Sequence, residues 1–308
     1  MAAETQNQRE NQAIADLLAE MAALLRSQES TPYRSGAYQA ASDQIRYLDR
    51  DLRGILDAEG IAGLDRIPRV GKGIASAIAE ILVTGRWSQL DRLRGSSDPE
   101  TLLQAVPGIG PDLARRIHDE LHIDSLEALE NAAHDGRLAR LRGLGQRRAQ
   151  AIRAVVTNML NRVRPRSGTV VAPRPAAEPS VREILAVDAE YQDKARRGEI
   201  PTIAPKRLNP SGEAWLPVLH TRHGAWHFTA LYSNTARAHE LGKTGDWVVI
   251  YYYTDQQAEG QCTVVTQPRG PLAGRRVVRG REAQCRAFYL ESEVSESSQA
   301  ASVESAGA

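Results

Sequence analysis

Two phenylalanines and two cysteines are all that this 308-residue chain contains of either residue. With aromatics at 5%, its cores must be built from Ala, Leu, Ile and Val. Two cysteines, Cys262 and Cys285, with no C-x-x-C pair, exclude a disulfide framework and the usual zinc spacings. No apolar run approaches the roughly 18 residues of a membrane helix. The polar stretch from Met1 to Glu10 has no apolar segment of a secretory signal. The expectation is a protein of the cytoplasm, nucleoid-associated, with no membrane partner. Lysine is also scarce, with four among 39 basic residues.

What is present is arginine, unevenly placed. The net charge is only +1, yet Gly136 to Ala177 carries ten Arg and neither Asp nor Glu. The segment beyond Tyr289 is acidic and rich in Ser and Ala. A GC-rich coding bias accounts for Arg over Lys. It does not account for the loss of acids from one stretch, which points to a polyanion partner.

The patterning divides the chain. Residues 11–163 read as helical, with apolar spacing of three and four from Ala13 to Met21 and a helix start at Thr31-Pro32. Further helices are expected over Tyr33–Leu48, Ile74–Thr84, Ser88–Arg94, Pro99–Ala105, Pro111–Leu121, Ser125–Ala133 and Gln146–Val163. A basic, Pro-rich linker follows over 164–179. Residues 180–290 hold three of the four Trp and six of the nine Tyr. Strands are expected there over Trp215–His220, Ala225–Tyr232, Trp247–Tyr253 and Gln261–Thr266, with a short helix over Asn234–Leu241. Residues 291–308 read as a disordered acidic tail. The expected architecture is an all-α N-terminal half of tandem hairpins plus a separate, smaller, β-rich α+β domain.

One turn recurs three times: Ile67-Pro68-Arg69-Val70-Gly71, Val106-Pro107-Gly108-Ile109-Gly110 and Leu141-Arg142-Gly143-Leu144-Gly145. Aligned on the last glycine, the copies are 39 and 35 residues apart, so they repeat one supersecondary unit. A Gly-apolar-Gly turn lets the backbone adopt positive φ and approach a ligand closely. The apolar residue wedges between the flanking helices, while the amides of the turn and of the next helix converge outward on an anion. A backbone phosphate suits such a seat, and no base need be read. The expected DNA contacts are Gly71, Lys72, Gly73, Gly108, Gly110, Arg115, Arg116, Gly143, Gly145, Arg147 and Arg148. A single such turn would be an ordinary tight connection between helices, whereas three in register make a binding surface.

Residues 11–160 resemble the N-terminal region of family X DNA polymerases, the group of DNA polymerase beta. The matching stretches are Pro32-Tyr33-Arg34 with Ala37-Tyr38, Ile67 to Gly71, Thr84-Gly85-Arg86 and Val106 to Pro111. The resemblance implies binding of nicked, gapped or single-strand-containing DNA in repair or processing. It further implies a monovalent cation on hairpin carbonyls, with no other cofactor, and phosphate contacts from Arg34 and Tyr38. The chain departs from the family where Ala77 replaces the lyase lysine and Gly73 a second basic position. No polymerase palm is found, since no carboxylate cluster for two metal ions exists. Polymerase activity is not expected.

An enzyme remains the alternative: an abasic-site lyase using Lys72, or a metal-dependent nuclease. The second would use His220, His223 and His227, which could converge across a hairpin, with Glu213 as catalytic carboxylate and His239 or Cys262 completing a metal site. The other reading of these histidines is ordinary polar strand residues. The glycine-punctuated stretch Gly270 to Arg281 is either a phosphate contact or a solvated loop. A protein partner through 180–290, or a purely structural adaptor role for the helical half, completes the alternatives.

Overall fold

The computed structural model describes residues 2–28, 30, 32–96, 98–161, 178–254 and 259–292. Most of the expected tail and most of the linker lie outside them, while residues 291 and 292 of that tail are helical. The helical half runs α1 (Ala2–Ser27), α2 (Pro32–Arg46), α3 (Leu52–Glu59), α4 (Ile61–Asp65), α5 (Lys72–Thr84), α6 (Ser88–Leu93), α7 (Pro99–Gln104), α8 (Pro111–Leu121), α9 (Leu126–His134), a 3₁₀ turn (Leu138–Arg140) and α10 (Gln146–Asn161). Starts follow local chemistry. Asp51 accepts from the amides of Arg53 and Gly54 at the head of α3, and Ser125 from that of Ala128 at the head of α9. Pro111 opens α8 at a position whose amide would have no partner in the helix. Stops are left-handed: Gly85 (φ 70°) ends α5 and His122 (φ 55°) ends α8.

The C-terminal half begins with α11 (Val181–Arg197), whose Ser180 and Glu183 form a reciprocal capping box. This helix was absent from the strand-like reading of the segment, although that Ser-x-x-Glu signature was visible. Six strands follow: β1 (Thr202–Ile203), β2 (Leu216–His223), β3 (Trp226–Tyr232), β4 (Val248–Tyr253), β5 (Gly260–Thr266) and β6 (Arg276–Val278). Each pairs antiparallel with the next, so the sheet is a meander in chain order. The short α12 (Ala236–Glu240) lies between β3 and β4, and residues 282–292 form a closing helix.

The sheet is a layer between two helical layers, and β4 shows why. Its sequence Val-Val-Ile-Tyr-Tyr-Tyr has no polar alternation, as a strand covered on both faces requires. Val248, Ile250 and Tyr252 join Ile184, Val187 and Tyr191 of α11 and Cys285 of the closing helix in one core. Val249 and Tyr251 face the other way, into a core with Leu18, Leu25, Ile45, Ile78 and Leu90 of the helical half. Residues Leu102 to Leu160, which carry the second and third corners, build a core of their own.

The three bodies meet at buried polar contacts. Arg92 (α6) pairs with Asp124 at 3.1 Å and Glu259 at 3.0 Å, and its guanidinium lies 3.3 Å from the ring centroid of Tyr251. The Tyr251 hydroxyl donates to Asp124 at 2.6 Å. Arg92 and Asp124 are 6% and 7% exposed, so each charge depends on the other to offset the loss of water.

Candidate nucleic-acid interface

All three corners have one backbone geometry. The amides of Val70, Ile109 and Leu144 each donate to the carbonyl three residues back, on Ile67, Val106 and Leu141, at 3.0 Å in every case. The residue before each wedge sits at positive φ: Gly108 at 93°, Gly143 at 77° and, without the usual glycine, Arg69 at 68°. The wedges Val70, Ile109 and Leu144 are buried, and the glycines on either side of the last two are exposed. The third corner therefore needs Gly143 for its conformation, while Arg69 holds the same conformation against a side-chain clash.

The glycines after the wedges pose a different question. Gly71 and Gly110 stand at the N-caps of α5 and α8 with ordinary extended backbone, φ −94° and −86°. Gly145, whose carbonyl accepts from the amides of Arg148 and Ala149, is not at positive φ. A Cβ added at Gly71, Gly73, Gly110 or Gly145 would meet nothing within 4 Å. Folding therefore does not demand glycine at these positions. Asp, Ser or Asn would cap each helix better. Glycine instead leaves the first-turn amides of α5 and α8 without a side-chain cap and leaves the space in front of them open. That combination suits a ligand that approaches the main chain itself.

Basic residues surround the open corners. Lys72 and Gly73 are exposed at the head of α5, and Arg147 and Arg148 at the head of α10. Arg115 pairs with Asp112 at 3.0 Å and Arg116 with Glu120 at 3.1 Å. Two arginines cross between hairpins: Arg148 donates to the Gly108 carbonyl at 3.2 Å, and Arg116 to the Arg142 carbonyl. The second and third corners are thus tied into one unit by reciprocal guanidinium–carbonyl bonds, each corner receiving a cation from the other. No sequence pattern pointed to this crossing, because it depends on how the two hairpins pack.

Other expected site residues lie elsewhere. Arg34 and Tyr38 are 6% and 7% exposed, covered by β2, β3 and β4. Arg34 donates to His220 Nδ1 at 3.2 Å and lies 5.2 Å from the Tyr253 ring centroid, and the Tyr38 hydroxyl donates to Gln89 at 3.2 Å. Burial raises the Tyr38 hydroxyl above its ordinary range. In this arrangement the sheet stands where a DNA strand would have to reach them. Ala77 is buried as well.

The histidines do not converge, for a reason of strand periodicity. His220 pairs with Thr229, His227 with Arg222 and His223 with Trp226, so His220 and His223 point to opposite faces. His220 lies in the joint, accepting from Arg34 and donating through Nε2 to Gln28 at 3.2 Å. Burial, then the Arg34 charge, holds it well below the usual histidine range. His223 meets Glu190 at 3.2 Å, and His227 stacks on Tyr253 at 5.0 Å. His239 bonds to Asn234 at 2.7 Å. Burial pushes the Cys262 thiol up to about 12, which keeps it protonated and a poor ligand. Glu213 is exposed in the loop before β2. Among the described residues no group of three or more such side chains is placed to hold a metal ion. No helix among them is long and apolar enough to cross a membrane.

In the basic loop after β5, the turn over 270–275 is followed by β6, and Arg276 is committed to Asp188 at 2.7 Å and Asp246 at 2.5 Å. Arg279 lies over the Trp247 ring at 4.3 Å. These two arginines therefore serve the fold.

Comparison with known families agrees with the corner geometry. The family described as a helix-hairpin-helix domain matches residues 9–87, and the SAM-like helix-hairpin-helix tandem matches residues 61–122 and again 100–155. Each corner falls within at least one match, and the matches stop short of α11 and the sheet. The N-terminal region of this chain is a helix-hairpin-helix DNA-binding region.

Proposed function

We propose that the protein holds DNA by its sugar-phosphate backbone, without reading bases, at sites where the duplex is nicked, gapped or partly single-stranded, in repair or processing. The observation that carries this reading is the open N-cap glycine. At Gly71, Gly110 and Gly145 neither φ nor packing calls for glycine, and a phosphate oxygen approaching the uncapped amides does. Lys72, Arg147 and Arg148, with Arg115 and Arg116 behind them, supply the charge that draws the strand in. The likeness to family X polymerases supports the preference for interrupted duplexes. The sheet half has closed over Arg34 and Tyr38, so the backbone grip falls to the corners. Ala77 cannot form an imine, and the role assigned to Lys72 is a phosphate contact.

The test is binding of the full chain to unrelated duplexes, intact, nicked and gapped, across a salt series. Each neutralised phosphate should add about −0.9 to the slope of log K against log salt. The reading expects a steep slope, equal affinity for unrelated sequences and tighter binding to interrupted duplexes. A single preferred sequence with a shallow slope would overturn it.

A further inference from the structure

The first corner differs from the other two at its apex. Gly108 and Gly143 stand before the wedges Ile109 and Leu144, whereas Arg69 stands before Val70. All three hold positive φ, at 93°, 77° and 68°. A side chain in that region crowds the following carbonyl, so arginine costs stability there and glycine does not. Such a strained residue persists where something outweighs the strain, and functional sites are where such residues gather.

The fold supplies no such reason. The wedge Val70 is buried, and its amide donates to the Ile67 carbonyl at 3.0 Å, as at the two glycine corners. The corner therefore closes in the same way around glycine or arginine. The Arg69 side chain is exposed, and among the described residues no hydrogen bond, ion pair or ring contact engages it. Its exposed neighbour Arg66 is committed to Glu59 at 2.5 Å, and Arg50 takes the other oxygen of that carboxylate at 2.5 Å. From Ile67 to Ala79 there is neither Asp nor Glu, whereas the first turn of α8, beside the second corner, carries Asp112. Arg69 is thus a cation without an internal partner, at the tip of an acid-free corner in the DNA-binding region.

We propose that Arg69 is a DNA contact of the first corner, its guanidinium taking the phosphate next to the one seated at the head of α5. A guanidinium holds a phosphate through two parallel N–H bonds, which a glycine apex cannot supply. The first corner then grips two successive phosphates, while the second and third offer only main chain at their apices. This inference rests on the backbone-phosphate reading above and adds a side chain to it.

The experiment measures binding of the full chain to gapped DNA of two unrelated sequences across a salt series. The proteins are the parent, Arg69→Gly, Arg69→Asn and Arg66→Gln, with a thermal melt of each. Arg69→Gly gives the first corner the residue of its two copies and should melt at the parent temperature or above. Arg69→Asn keeps a side chain that tolerates positive φ and removes the cation. Both should bind about tenfold more weakly, the loss of one charge-assisted contact. Both should also flatten the slope of log K against log salt by about 0.7–0.9. Arg66→Gln removes an equal charge three residues away and should leave affinity and slope near those of the parent, which separates a lost contact from a lost net charge. Unchanged affinity and slope in folded Arg69→Gly overturns the inference, as does an equal loss in Arg66→Gln. A loss seen with only one of the two sequences overturns it too, since a phosphate contact is blind to sequence. A parent with a steep slope, matched by Arg69→Gly, refutes the role of this residue alone. A parent with a shallow slope refutes the backbone reading and this inference with it.

Discussion

Lowering the pH from 7 to 5 is expected to weaken the joint between the helical half and the sheet, chiefly through His122. This residue is 3% exposed. Its Nε2 accepts from Arg279 at 3.0 Å, and its Nδ1 donates to Ser233 at 3.2 Å. Burial, then the adjacent Arg279 and His118, lowers its pKa from 6.5 to about 3. The unfolded chain takes up this proton below pH 6.5 and the folded chain does not. The contribution to stability is therefore complete above pH 6.5 and is lost as pH falls towards 3. The slope is about 1.4 kcal/mol per pH unit, so at pH 5 the loss from His122 alone is about 2 kcal/mol. His220, held low by burial and Arg34, acts in the same direction. Urea unfolding followed by tryptophan fluorescence suits the test, since Trp247 packs edge-on against His122 at 5.4 Å. His122→Asn tolerates the left-handed backbone and keeps an acceptor for Arg279 without titrating. It should reduce the acid loss by about 2 kcal/mol. Equal stability of the parent at pH 7 and 5, or undiminished acid sensitivity in His122→Asn, would refute the reasoning.

Three further outcomes are expected. Arg92→Met leaves Asp124 buried without its cation and should destabilise the chain by about 3–5 kcal/mol, with Asp124→Asn added on top recovering part of the loss in chemical denaturation. Arg69→Gly relieves a left-handed arginine and should raise stability by about 1 kcal/mol, read as a higher melting temperature. Ile109→Ala removes the wedge of the second corner and should cost about 2–5 kcal/mol, with loss of amide protection concentrated over 102–160 in hydrogen exchange.

The helical half was largely legible because its signals are local. Pro111 after Gly110 gave the start of α8, and the bounds Pro111–Leu121 agree with the expected ones. The corners were legible because a positive φ and a wedge leave a fixed spacing. What failed to show in the sequence was what covers what. The unbroken apolar run Val248–Tyr253 says that both faces of β4 are buried, but not that the helical half covers one of them. For the same reason Arg34 and Tyr38 could be aligned with surface positions and still lie under the sheet. Of the two readings of the histidines, convergence fails for a simpler reason: two-residue periodicity alone separates His220 from His223. The crossed arginines Arg116 and Arg148 were out of reach, since their partners are carbonyls of another hairpin.

The central claim is that open glycines at the helix heads are seats for phosphate. Gly110→Asp with Gly145→Asp addresses it directly. Both positions accept a side chain without a clash, and aspartate caps a helix by taking its first-turn amides. The double variant is expected to fold with an equal or higher melting temperature and to lose most of its affinity for gapped DNA. A folded double variant that binds DNA as tightly as the parent would contradict it.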